Sequence, residues 1–93
     1  MNPLYRTGNR KEPHMFQIVR CVLDESGEVI ARRPSQPLFE LWEDAMAMAE
    51  FDSSRVWGEY GYDEERSCWW ASDSRGRMYR FVIEAVASAD VAA

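Results

Sequence analysis

Alternating apolar and polar residues predict strands along most of this chain. Residues 15–23 are rich in β-branched side chains and are apolar on both faces along much of their length. Residues 67–72 and 77–84 show the same two-residue period, and residues 55–62 alternate aromatic with small side chains. We predict a strand in each of these stretches and a further, shorter strand over 28–32.

Polar clusters that contain glycine or several charges separate the predicted strands. Residues 24–27 (DESG) and 73–76 (DSRG) end in glycine, which tolerates the positive φ that tight turns need, and residues 63–66 form a charged turn. Pro34 and Pro37 lack the amide hydrogen that a ladder uses, so we expect the second strand to end before them. The chain is therefore predicted to hold a hairpin near its start and a meander in its second half.

One helix is predicted over residues 38–52, with Ser35 as its cap and Pro37 in its first turn. Acidic residues fill the gaps between apolar positions that recur at helical spacing. These apolar positions are Leu38, Leu41, Trp42, Ala45, Met46, Met48 and Ala49.

These elements predict an α+β fold: an antiparallel sheet of four to five strands (β-hairpin, one helix, β-meander) with the single helix packed on one face. We expect a disordered N-terminal arm over 1–14, one domain over 15–87 and a frayed tail over 88–93. The predicted core joins Leu41, Trp42, Ala45, Met48 and Ala49 of the helix to Ile18, Val22, Ile30, Phe81 and Ile83 of the sheet.

The order of hairpin, acidic Ala/Met-rich helix and second hairpin resembles small bacterial proteins of unknown function that share a ββαββ layout. Three segments carry the likeness: the strand 16–19 (FQIV), the helix 42–49 (WEDAMAMA) and the closing 73–81 (DSRGRMYRF). The likeness covers residues 15–84. It implies the fold described above and transfers no catalytic residue.

Composition and charge narrow the function. With 93 residues the chain has no room for a two-domain cofactor enzyme, and its net charge of −5 disfavours non-specific binding to nucleic acid or anionic membrane. The charge is uneven, with +2 over residues 1–37, −8 over 38–65 and +1 over 66–93. Two cysteines and the lack of a long apolar segment predict a cytoplasmic protein with no membrane span.

The residues that could support catalysis are few. His14 is the only histidine and falls at the end of the predicted arm, where nothing would orient it. Cys68 lies in a predicted strand with no histidine near it in sequence, which favours a small buried hydrophobe over a reactive thiol. The acidic run 63–65 lacks the spacing of a calcium loop. We therefore expect no enzyme activity, no cofactor and no metal.

Twelve aromatic residues are more than a small core obviously needs. Because Trp69 and Trp70 are adjacent in a strand, they face opposite sides, and we expect one to lie on a sheet face that the helix leaves open. Such a face indicates a protein-binding module that self-associates as a homodimer, unless the arm, the tail or long arginine stems cover it. The expected partner-binding residues are Trp57, Tyr60, Trp69, Trp70, Arg77 and Arg80.

A nucleic-acid-binding module is the alternative. Aromatic residues combined with arginines on an open sheet face would stack bases and neutralise phosphates. The arginines considered for this role are Arg20, Arg32, Arg55, Arg75, Arg77 and Arg80.

Overall fold

The computed structural model describes residues 14–87, so the predicted tail, and all of the predicted arm except His14, lie outside the described residues. In chain order the elements are β1 (His14–Leu23), β2 (Val29–Phe39), α1 (Trp42–Ser54), β3 (Tyr60–Asp63), β4 (Cys68–Ser72) and β5 (Met78–Ala87). The strands form one antiparallel sheet in the order β2-β1-β5-β4-β3. The predicted α+β class and its antiparallel sheet are confirmed, and the sheet has five strands.

The longest ladder of the sheet joins β1 to β5. β1 pairs with β5 over ten consecutive residues, from His14 opposite Ala87 to Leu23 opposite Met78. This pairing brings the first hairpin next to the last strand. The helix and the β3–β4 hairpin lie between these two elements in the sequence. β2 and β3 therefore lie at the two edges.

Helix α1 packs through its smallest side chains. Ala45, Ala49 and Ser53 are its buried residues, spaced four apart so that they lie along one side of the helix. Their small size lets the helix backbone approach the sheet, where Ile18, Ala71 and Phe81 complete the buried cluster. Partly buried apolar residues surround this cluster: Phe16, Phe39, Val56, Trp69, Tyr79 and Ile83.

A second apolar cluster lies on the sheet face away from the helix. Val19, Cys21 and Leu23 alternate with the helix-facing residues of β1 and are all buried, with Val82 of β5 packed against them. Arg32 of β2 and Glu84 of β5 form an ion pair on the same side of the sheet. The expectation that this face is open to solvent is therefore wrong along β1.

The first part of the predicted helix is instead strand. β2 runs through Pro34 and Pro37 to Phe39, and α1 begins only at Trp42. The prolines are tolerated because β2 is an edge strand, and the ladder with β1 is irregular where residues 35–37 are inserted. The predicted cap Ser35 is also wrong, since the N-cap is Leu41 and no side chain caps the helix.

The far end of the helix and part of the predicted core also differ from expectation. α1 continues through Ser53 and Ser54, whose hydroxyls donate to the carbonyls of Glu50 and Phe51, so the predicted strand over 55–62 shortens to 60–63.

Four predicted core residues are exposed because the helix turns its small side chains inward and because the ladder is irregular near Ile30. They are Ile30, Leu41, Trp42 and Met48.

Candidate interaction surface

Two tyrosines and a tryptophan form an aromatic group at the β3 edge, on the helix side of the sheet. Tyr62 lies opposite Trp69 in the β3–β4 ladder, with ring centroids 5.3 Å apart in an edge-on arrangement. Tyr60 packs against the same indole at 6.4 Å. Trp69 in turn packs against the buried cluster under α1, while Tyr60 and Tyr62 remain 46% and 40% exposed. The core therefore holds the base of the group and leaves its outer rings in solvent.

Trp57, in the loop before β3, is the most exposed large hydrophobic residue among residues 14–87, at 87%. Its φ of 71° is rare for a bulky side chain and costs about 1 to 3 kcal/mol. The adjacent Gly58 fixes this loop against β4, because a Cβ there would lie 1.8 Å from the Ser72 carbonyl oxygen. The Ser72 amide also donates to the Glu59 carbonyl at 2.8 Å. The indole thus projects from an anchored backbone.

We call Trp57, Tyr60, Tyr62 and Trp69 the aromatic edge. Acidic residues flank it in sequence, since residues 59–65 contain Glu59, Asp63, Glu64 and Glu65. Asp63 is paired with Arg66, whose side chain and backbone amide donate to it and hold the pKa of its carboxyl below the usual value. The aromatic edge therefore lies in an acidic stretch of sequence, although Asp63, opposite Cys68, is on the other face of β3 from Tyr60 and Tyr62.

The indole N–H of Trp69 lacks a hydrogen-bond acceptor among the described residues. The nitrogen, Nε1, is buried. Buried donors are nearly always paired, so this one stands out. It lies in the residue that connects the aromatic edge to the core.

Trp70 and Arg80 lie on the opposite side of the sheet from the aromatic edge. They are cross-strand partners, and both are half-buried. The Trp70 indole covers Gly61 so closely that a Cβ at Gly61 would lie 3.0 Å from the indole nitrogen. These two predicted partner-binding residues therefore do not join Tyr60 and Trp69 in one surface.

Arg77 occupies a third location, the turn between β4 and β5. Its backbone amide donates to the Asp73 Oδ1 at 2.9 Å, and its side chain is exposed. Of the six predicted partner-binding residues, the structure thus places Trp57, Tyr60 and Trp69 at the β3 edge. Tyr62 also belongs there, and its two-residue spacing from Tyr60 was the sequence signal that could have identified it.

The groups considered for catalysis show no assembled site. Burial raises the pKa of the Cys68 thiol, with the nearby Asp63 carboxylate as a smaller cause, which disfavours the reactive thiolate. His14 is exposed at the start of β1. Within residues 14–87 there is no cluster of three metal-ligating side chains, and none of the helices there combines the length and apolarity needed to cross a bilayer.

Comparison with protein-family models, with curated proteins and with solved structures finds no match to this chain. The resemblance to ββαββ proteins therefore stays a prediction.

Proposed function

We propose that this chain is a protein-interaction module that self-associates through the aromatic edge. The observation that carries the proposal is a group of exposed tyrosine and tryptophan rings with a buried base. The rings lie on a strand that has a neighbour on one side only among residues 14–87. Tyrosine and tryptophan dominate the binding energy of protein interfaces because they bury much area and lose little rotamer freedom.

The two edges of the sheet differ in their ability to accept a further strand. β2 contains Pro34 and Pro37, two arginines and two register irregularities, all of which obstruct edge-to-edge pairing. β3 has no proline, no basic residue and an unbroken ladder to β4. A strand from another chain is therefore better accommodated at β3, where β-strand addition would place it beside Tyr60 and Tyr62.

The charge around the aromatic edge indicates which segment of a second copy would bind beside β3. Direct pairing of β3 with β3 of a second copy would bring the two acidic 59–65 segments together, which like-charge repulsion opposes. Residues 1–13 instead carry Arg6, Arg10 and Lys11 against one acid, Glu12. Fully extended, thirteen residues span about 45 Å, enough to cross to a neighbouring subunit. The occupant we propose is residues 1–13 of a second copy, exchanged reciprocally in a closed dimer.

The experiment is sedimentation velocity and native mass spectrometry on the full chain over a range of concentrations. We expect a monomer–dimer equilibrium that weakens as salt rises, because opposite charges contribute to it. Trp57→Ala and Tyr62→Ala should each weaken dimerisation at least about tenfold. Phe51→Ala, an exposed aromatic on α1 outside the aromatic edge, is the matched control and should leave dimerisation unchanged.

The triple change Arg6→Gln, Arg10→Gln and Lys11→Gln tests whether residues 1–13 are the segment that binds at β3. We expect it to weaken the dimer as strongly as the loss of Trp57. A dimer unaffected by the triple change would reject residues 1–13 as the occupant, and a chain that stays monomeric at every concentration would reject self-association.

No observation of comparable weight favours the nucleic-acid alternative. The acidic sequence around the aromatic edge opposes phosphate binding there, and Arg80 is half-buried beside Trp70. Two of the arginines considered for it, Arg20 and Arg55, line a separate cavity on the helix side of the sheet.

A further inference from the structure

A cavity of about 580 Å³ opens at the C-terminal end of α1, between the helix and the sheet. Three arginines from different elements line it: Arg20 of β1, Arg33 of β2 and Arg55, the C-cap of the helix. The cavity lies within the size range of sites for small molecules, and it is separate from the aromatic edge.

Arg20 and Arg33 are direct cross-strand partners in the β1–β2 ladder. Two like charges opposite each other on an antiparallel pair destabilise the sheet. No acidic side chain in the described part of the chain lies within 4 Å of either guanidinium, since the salt bridges there are Arg32–Glu84 and Arg66–Asp63. Within residues 14–87, Arg20 and Arg33 therefore lie side by side without an ion-pair partner.

Aromatic rings position two of the three guanidiniums. The Arg20 guanidinium lies 5.3 Å from the centre of the Tyr79 ring, and the Arg55 guanidinium lies 5.4 Å from that of Phe51. Such stacking restrains an arginine while leaving its N–H groups able to donate. The negative end of the helix dipole explains a cation at Arg55, but it does not explain Arg33 on the edge strand.

The two acidic residues of the cavity do not balance these charges. Asp73 accepts hydrogen bonds from the backbone amides of Arg75 and Arg77 and from the Tyr79 hydroxyl, so its oxygens are already engaged. Asp52 is half-buried, and burial raises the pKa of its carboxyl although Arg55 and Arg20 oppose the shift. Three guanidiniums thus face one available carboxyl group.

We infer that this cavity is a binding site for a small molecule that carries a phosphate group, held by Arg20, Arg33 and Arg55. A phosphate monoester has a charge of about −1.5 to −2 at neutral pH and offers three acceptor oxygens. It can therefore accept hydrogen bonds from several guanidiniums at once, which a single carboxylate group does less well. The free volume beyond the arginines accommodates the rest of such a ligand.

The test is isothermal titration calorimetry at low ionic strength, with inorganic pyrophosphate as the probe and acetate as the singly charged comparison. We expect saturable binding of one pyrophosphate per chain and much weaker binding of acetate. Arg20→Gln and Arg33→Gln should each weaken pyrophosphate binding at least about tenfold. Arg75→Gln removes an equal charge from an exposed turn outside this cavity and should change binding by less than about twofold.

Thermal melting without ligand shows whether the variants keep the fold. Arg33→Gln should melt at the wild-type temperature or above it, because it removes a like-charge contact from the ladder. Arg20→Gln removes the same contact but also its stacking on the Tyr79 ring, so it should melt close to the wild-type temperature. Absence of saturable pyrophosphate binding, or an equal loss of affinity in Arg75→Gln, would overturn the inference.

Discussion

Asp24 and Asp73 have the same role in the two hairpin turns at one end of the sheet. Each Oδ1 accepts two backbone amides, those of Ser26 and Glu28 in the first turn and those of Arg75 and Arg77 in the second. Gly27 and Gly76 follow with φ of 91° and 85°, values that favour glycine. The side-chain and backbone donors lower the pKa of both carboxyls. One aspartate and one glycine thus define each turn, which is why short-range sequence reasoning placed both.

The lowered pKa of Asp73 predicts a pH dependence of stability. A folded-state pKa below the unfolded value, about 3.9, stabilises the fold above that value, and this contribution disappears as the pH falls through the lowered pKa. Urea unfolding of the wild type and of Asp73→Asn between about pH 6 and pH 2 measures it. We expect the variant to lose less stability in acid, and identical acid profiles would contradict the role given to this carboxylate.

Helix α1 buries its small side chains and exposes large apolar ones, which is the opposite of a usual amphipathic helix. Its small residues face the sheet, and several large apolar residues, Trp42, Met48 and Phe51, lie in solvent. The sequence period identified a helix correctly, but it could not tell which side would pack, because apolar residues occur around most of its circumference. The close approach of Ala45 and Ala49 to the sheet decided the orientation.

This orientation makes Ala45→Asp a sharp test. Ala45 is fully buried at 0% exposure, so a carboxylate there would have no partner and should destabilise the fold by about 3 kcal/mol or more. Ala47→Asp is the matched control two positions away on the exposed side of the same helix, and it should cost less than about 1 kcal/mol. Chemical denaturation measures both, and equal losses would show that the helix packs on another side.

Considered as a whole, the molecule is a five-stranded sheet in which β1, next to the β2 edge, is buried on both faces. Ile18 faces the helix and Val19 the opposite side, and each is 1% exposed. We expect Ile18→Ala to cost about 2 to 5 kcal/mol and Val19→Ala about 1.5 kcal/mol or more, because each leaves a cavity. Ile30→Ala, at an exposed position of β2, should cost less than about 1 kcal/mol. Urea unfolding compares the three, and a Val19→Ala value as low as that of Ile30→Ala would contradict burial of the second face.

The sequence by itself determined the strands β1, β4 and β5, both glycine turns, the presence of one helix and the α+β class, because each follows from periodicity or turn chemistry over a few neighbouring residues. It also supplied most of the aromatic residues of the proposed surface. Only the tertiary structure decided that residues 38–39 extend β2, that α1 packs through alanines, and that Arg20, Arg33 and Arg55 line one cavity. Those outcomes depend on contacts between residues far apart in the chain, such as the pairing of Phe16 with Phe39, which no local pattern encodes.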